Sequence, residues 1–433
     1  MKSNVAGVLA PASSVASSWR AAWPFWLAVP VFLAGTLIDT GRAWTRILGQ
    51  SPGLLTTALV LSLGLLNVRR RSFGVPGIAT VIIMTIVAGH VLFRHETVLA
   101  AYRLTGSLAM MWVIASQRLD TKSIVLLLKL VLGLSLVLGG SFYLGVWNAE
   151  EGSMSFPNIN RNVVALECVV GAALVTFLGR NGHLGKTMRW LWPIGLIGFA
   201  LPVLYTASRK GAIALALVPL LYFGLTLRFA RLGRLLIVLA IFAGIAIVAG
   251  DELSVTSVAP VERLMDRFEM GDTRRETLLD LSLRLVADEP WGGYGISSTF
   301  SPSWRVAHGF VNEATGDALS IHNGFLALAL MGGVPFLAIY VILLGAAGAQ
   351  AVRLAATSTS TEKCEMAAMS FVLLTVVIIA MLTGGGSEYW KFGWFTVGLV
   401  LLVGEVVRRS NDESQRPALP APARKASLAG ARP

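Results

Sequence analysis

Apolar stretches long enough to cross a bilayer recur along this chain at about 21–38, 51–68, 75–93, 98–116, 123–146, 162–179, 190–206, 211–227, 235–250, 322–346, 366–384 and 392–407. A membrane helix needs about 20 apolar residues, because in hydrocarbon the backbone must satisfy its own hydrogen bonds. Twelve such stretches in 433 residues leave room for short connections and one or two longer ones. The pattern predicts an all-α polytopic membrane protein of about 12 transmembrane helices. A large soluble catalytic domain is excluded. The composition agrees: 55% of the residues are hydrophobic and 14% charged, against roughly 25% charged in a soluble domain.

The formal charge of +12 does not point to nucleic acid, which needs Lys and Arg gathered on one exposed surface. Here the cations sit between apolar runs. With a cytoplasmic N-terminus, the inside connectors hold Arg69, Arg70 and Arg71; Arg118 and Lys122; Arg180, Lys186 and Arg189; Arg228, Arg231 and Arg234; Arg353 and Lys363; Arg408 and Arg409. Every second connector is basic, as the positive-inside rule requires of a fixed orientation. Lys2 and Arg20 precede the first apolar run, which lacks a small-residue cleavage pattern and reads as a span. The two cysteines, Cys168 and Cys364, supply neither a disulfide framework nor a cysteine-rich metal site.

The expected organisation is a cytoplasmic N-terminus over 1–20, nine spans over 21–250, a long outer loop over 251–321, three spans over 322–409 and a disordered cytoplasmic tail over 410–433, rich in Pro, Ala and charge. The loop carries 12 of the chain's 24 acidic residues and 6 Arg. Within it, Arg274 to Asp288 places Leu278, Leu281 and Leu285, with Leu279, Leu283 and Val286, at helical spacing. Pro290 and the glycines of PWGGYG stop that helix.

Three polar features stand at the outer face. In Thr206-Ala-Ser-Arg-Lys-Gly211, Arg209 and Lys210 interrupt an apolar stretch where the positive-inside rule disfavours cations. They serve either a function or as headgroup anchors. Arg274 and Arg275 open the loop helix, where guanidinium forks and the helix N-terminus both suit phosphate oxygens; a solvated pairing with nearby Glu and Asp is the bland alternative. Ser320-Ile-His-Asn-Gly-Phe325 marks the return of the loop to the membrane. His322 there is titratable near neutrality and suits a general base, or is simply a hydrogen-bonded interfacial histidine.

His90 and His95 have no companions at ligand spacing. Glu167, inside a span, suits either proton coupling or a local contact with Arg161. No phosphate-binding P-loop, zincin pair or DxD-like motif occurs, so neither cofactor nor metal is expected.

In order and spacing, Ser208-Arg209-Lys210-Gly211, Arg275, Pro290-Trp-Gly-Gly-Tyr-Gly295 and His322-Asn323, with a weaker echo at Phe156-Pro-Asn-Ile-Asn160, resemble the O-antigen ligase and polymerase family of polytopic bacterial glycosyltransferases, most of all O-antigen ligase. The sequence departs from the family pattern at Lys210, between the Arg and Gly of the turn, and at Leu279, where a Trp often follows the loop arginine; Arg274 is the second position for that arginine.

The resemblance implies a GT-C-like helical fold in the bacterial inner membrane with its active site facing the periplasm. It implies metal-independent, cofactor-free transfer of a glycan from undecaprenyl pyrophosphate to a sugar hydroxyl of lipid A-core, in lipopolysaccharide biosynthesis. His322 would act as base, with Asn323 in support. Arg209 and Arg275, with Arg274 and Lys210, would hold the pyrophosphate. The rival within the family is a polymerase for O-antigen or exopolysaccharide using the same donor, with a protein O-oligosaccharyltransferase further off. The rival from another class is a twelve-span secondary transporter or flippase, which would show related halves and midplane helix interruptions.

Overall fold

The computed structural model describes residues 26, 29, 30, 65, 75–94, 98–117, 119–150, 153–155, 160–227, 273–299, 301–312, 315–358, 360–383 and 391–415. Apart from four isolated positions, the expected spans at 21–38, 51–68 and 235–250 lie outside these residues, as do loop residues 251–272. So do Arg69 to Arg71, Arg118, Arg228, Arg231, Arg234 and Phe156 to Ile159.

The helices in chain order are α1 (Val75–Arg94), α2 (Val98–Ala115), α3 (Thr121–Tyr143), α4 (Arg161–Arg180), α5 (Met188–Tyr205), α6 (Arg209–Thr226), α7 (Thr273–Asp288), α8 (Pro302–Ala307), α9 (Gly324–Thr357), α10 (Thr361–Thr383) and α11 (Lys391–Gln415). A short antiparallel hairpin of β1 (Asn148–Glu150) and β2 (Ser153–Ser155) lies between α3 and α4. Among the described residues six helices, α3, α4, α5, α6, α9 and α10, are long and apolar enough to cross a membrane, and α1 and α2 contain shorter apolar segments. Apart from that hairpin the elements of the described residues are helices, and the apolar ones make the chain a multi-pass membrane protein.

The bundle is built around α4, buried from Val164 to Gly179. Small residues let its neighbours close in, as membrane interfaces require. A Cβ on Gly171 would lie 2.5 Å from the Phe199 ring of α5, and one on Gly195 of α5 would lie 2.8 Å from Val175 of α4. Helix α10 packs on α4, α6, α9 and α11. One end of the bundle is tied by Glu365 of α10, almost fully buried, which accepts from Arg180 Nη2 at 2.9 Å, Asn181 Nδ2 at 2.8 Å and the Tyr222 hydroxyl at 2.7 Å. The C-terminal ends of α4 and α6 thus meet the start of α10. This end also carries Lys186, Arg189 and Lys363, and is called the basic end below.

The other end carries the loop. A small second core of Leu278, Phe310, Ile321, Ala327 and Leu330, with Leu281, Leu285, Trp304 and Leu326 around it, seats α7 and α8 on the first part of α9. Helix α9 is broken there: Gly332 (φ −135°, ψ 17°) and Gly333 (φ 77°, ψ −178°) are non-helical. Beyond the break, Gly348 of α9 packs against Leu374 and Phe371 of the antiparallel α10, so a straight α9 would carry Asn323 far past Thr383. Instead Asn323, Leu382 and Thr383 line one cleft. The break therefore turns residues 324–331 aside, over the end of α10.

The loop repairs the break. Tyr294 N–H donates to Leu330 O at 2.6 Å, Gly295 N–H to Met331 O at 3.1 Å, and Val334 N–H to Pro290 O at 2.7 Å. Polar backbone freed inside a membrane protein is costly unless a partner is supplied, and here the PWGGYG turn supplies it.

Two boundaries differ from the expectation. The span expected at 322–346 is the broken α9, which continues to Thr357, and α11 continues to Gln415, past the expected start of the tail at 410. Just before the extension, Arg408 and Arg409 pair with Glu405 at helix spacing, and at its start Ser410 O accepts from Lys363 Nζ at 3.0 Å. Residues 416–433 lie outside the described residues.

Candidate functional site

The turn from α5 to α6 is an N-cap. Ser208 Oγ accepts from Gly211 N–H at 3.2 Å, and its hydroxyl donates to Asn162 Oδ1 at 2.8 Å. Ala207 is forced to φ 48°, a left-handed conformation in which a side chain is strained. Gly211 is required by space: a Cβ there would lie 2.7 Å from Ala165 Cβ on α4. Arg209 and Lys210 therefore occupy the first turn of α6, both partly exposed. Cations at a helix N-terminus oppose the macrodipole; an anion bound there would gain from helix and side chains together. Asn160 caps α4 by accepting from Asn162 N–H at 2.9 Å, so the Asn162–Ser208 bond joins two helix N-termini. Because Tyr222 near the end of α6 meets Glu365 near the start of α10, the start of α6 lies at the end of the bundle where α10 stops.

At that same end is a cleft of about 260 Å³, lined by Glu276, Leu278, Leu279 and Ser282 of α7, by Ile321, His322, Asn323 and Leu326, and by Leu382 and Thr383 of α10. His322 is half-buried and held on both sides. Ile321 before it is buried in the second core. Asn323 after it is the N-cap of α9, its Oδ1 accepting from Phe325 N–H at 3.0 Å and Leu326 N–H at 3.1 Å. Both residues of the His-Asn step thus line the cleft, and Asn323 also fixes the backbone as the cap of α9.

Positions 274 and 275 fall in the first turn of α7. At about 100° per residue, position 275 shares a helix face with cleft residues 278, 279 and 282, and position 274 is turned away by one residue's rotation. The fold brings His322, Asn323 and the start of α7 to one cleft. Arg209 and Lys210 are not among its lining residues, although they open α6 at the same end.

Residues 194–341 match the O-antigen ligase family. The matched segment begins in α5 and runs through the Ser208 turn, α7, the PWGGYG turn and His322 into α9, so it holds every residue of the site except the α4 and α10 contributions. Enzymes of the O-antigen ligase family are glycan transferases, and the family implies lipid-linked glycan substrates. No curated protein matches the chain.

Asn162, Leu382, Thr383 and the Gly332–Gly333 break were missed by the sequence reading. The break had a visible signal in Gly-Gly-Val-Pro335. Asn162 had none, since its role depends on α4 meeting α6. Glu167 is buried in α4. Among the described residues no group of His, Cys, Asp and Glu is placed to hold a metal ion.

Proposed function

We propose that this protein is an O-antigen ligase, transferring a glycan from undecaprenyl pyrophosphate to a sugar hydroxyl of lipid A-core at the periplasmic face of the inner membrane. The observation that carries the reading is that His322 and the first turn of α7, at Glu276 next to Arg275, meet at one cleft whose lining falls mostly in the segment that matches the O-antigen ligase family. His322 takes the proton from the acceptor hydroxyl as that oxygen attacks the donor's anomeric carbon. The glycosidic C–O bond to the pyrophosphate breaks, and charge develops on the leaving oxygen. Arg275 and Arg209, with Arg274 and Lys210 beside them, stabilise that charge as preorganised cations. Asn323 holds the backbone that presents His322.

A site at the end of the bundle suits a donor whose polyprenyl chain stays in the bilayer while its sugars stay in water. The same machinery would serve a polymerase, so the acceptor is tested directly by the lipopolysaccharide of a deletion strain. Loss of a ligase leaves long glycan on undecaprenyl pyrophosphate and lipid A-core uncapped. Lipid A-core carrying a single repeat would instead make the protein a polymerase, with the donor site unchanged. Substrate uptake into vesicles by the purified protein, without glycan transfer, would assign it to transport.

A further inference from the structure

Two further cavities share no lining residue with the cleft. Between α9 and α10 runs an apolar groove of about 690 Å³ lined by Val341, Leu344, Gly345, Gly348, Phe371 and Leu374 among others. Val341 is 51% exposed, so the groove opens sideways, toward lipid. At the basic end it meets a cavity of about 660 Å³ between α9 and α11, lined by Gln350, Arg353, Thr357, Arg408 and Asn411. Ala349 and Arg353 belong to both.

The lining of the cavity holds two guanidiniums, Arg353 and Arg408, and, among the described residues, no carboxylate. Beside the cavity, Glu405 pairs with both Arg408 and Arg409, and Asp412 and Glu413 follow one turn further along α11. The Lys363 ammonium is close by, donating to Asn411 Oδ1 at 3.3 Å. Basic pockets between spans take anionic headgroups. The depth of the groove selects the kind of lipid: from Arg353 to Val341 the helix rises about 18 Å, close to one leaflet's share of a hydrocarbon core of about 30 Å.

We propose that cavity and groove together bind one anionic phospholipid, its phosphate at Arg353 and Arg408 and an acyl chain along the α9–α10 groove. The groove and cavity share no lining residue with the cleft at His322, although the groove reaches Phe325, beside Leu326 of the cleft. A lipid seated there braces α9 beyond the break, where α9 meets both α10 and α11.

The test is native mass spectrometry of the purified protein titrated with phosphatidylglycerol or phosphatidylcholine in a mild detergent. Phosphatidylglycerol should bind about tenfold more tightly or better, given roughly 1 kcal/mol per cation at a lipid phosphate, and the preference should shrink with added salt. Arg353→Gln, at an exposed helix position, should bring phosphatidylglycerol down toward phosphatidylcholine, and Arg353→Lys should keep most of the preference. Gly345→Leu, where an added Cβ meets nothing within 4 Å, should weaken both lipids by filling the groove. Equal binding of the two lipids by the unmodified protein would overturn the proposal. So would a preference untouched by Arg353→Gln, binding untouched by Gly345→Leu, or a polyprenyl phosphate retained in place of phospholipid.

Discussion

Gly293 and Gly333 meet backbone to backbone: a Cβ on Gly293 would lie 2.7 Å from Gly333 N, and one on Gly333 would lie 2.5 Å from Trp291 O. Both have positive φ, 58° and 77°. The loop and the broken helix approach as closely as two main chains can, and only glycine at both positions allows it.

Alanine at either glycine should therefore loosen the loop from α9. Strain at such a conformation costs about 1–3 kcal/mol, with the steric clash in addition. Hydrogen exchange should rise in residues 276–296 while α3 and α4 keep their protection, and transfer should fall with it. Unchanged exchange in that segment would remove the clamp from the account.

His322→Ala should lower transfer by about 10²-fold or more, the usual worth of a positioned general base, with expression and membrane insertion intact. Asn323→Ala removes a helix cap worth about 0.5–2 kcal/mol, so it should weaken transfer only in part, and Asn323→Ser should restore much of it. Near-normal transfer by His322→Ala would take that histidine out of the chemistry.

If Arg275 and Arg209 grip pyrophosphate through forked hydrogen bonds, lysine is a poor replacement at either, because it offers a point charge. Removing either should cost about 2–4 kcal/mol of transition-state stabilisation, by analogy with one lost oxyanion donor. The helix face argued above makes Arg275 more sensitive than Arg274. A normal Arg275→Lys beside an inactive Arg274→Lys would reverse that assignment. A chelator in the same assay should have no effect.

Glu365→Ala leaves Arg180 without its carboxylate at a buried junction of three helices. Breaking such a pair costs about 3–5 kcal/mol, so thermal unfolding should shift clearly downward, whereas the rate per folded molecule at low temperature should hold. A variant that melts normally would show the cluster to be incidental to stability.

The proposed orientation puts the loop in the periplasm and the basic end in the cytoplasm. Single cysteines at Ser303 and Thr357, with Cys168 and Cys364 replaced, should then react from opposite sides with an impermeant reagent, Ser303 from outside. Labelling of both from one side would contradict it.

Much of the architecture was legible because hydrocarbon imposes a length and a polarity on each helix, and the stretches near 123–146, 162–179 and 366–384 carry both in full. The start of α7 and its stop at Pro290 were legible for a similar local reason, a periodic apolar stripe ended by a residue that cannot continue a helix. What could not be read was anything made by two distant segments. Asn162 reaching Ser208, Thr383 closing the cleft beside His322, and the PWGGYG turn pairing with Leu330 and Met331 are contacts across 36 to 61 positions of chain. The long apolar run from 322 looked like one straight span because each of its residues suits lipid; the bend in it is decided by the partner that the loop provides.

That partner has a consequence for how the protein is made. Residues 290–295 leave the ribosome before residues 330–334, so the strand of backbone that completes α9 is already synthesised when the interruption reaches the bilayer. The helix need never wait in lipid with bare carbonyls. A version of this chain with the loop moved downstream of α9, by circular permutation for instance, would reverse that order and expose the interruption during insertion, whatever the stability of the finished fold.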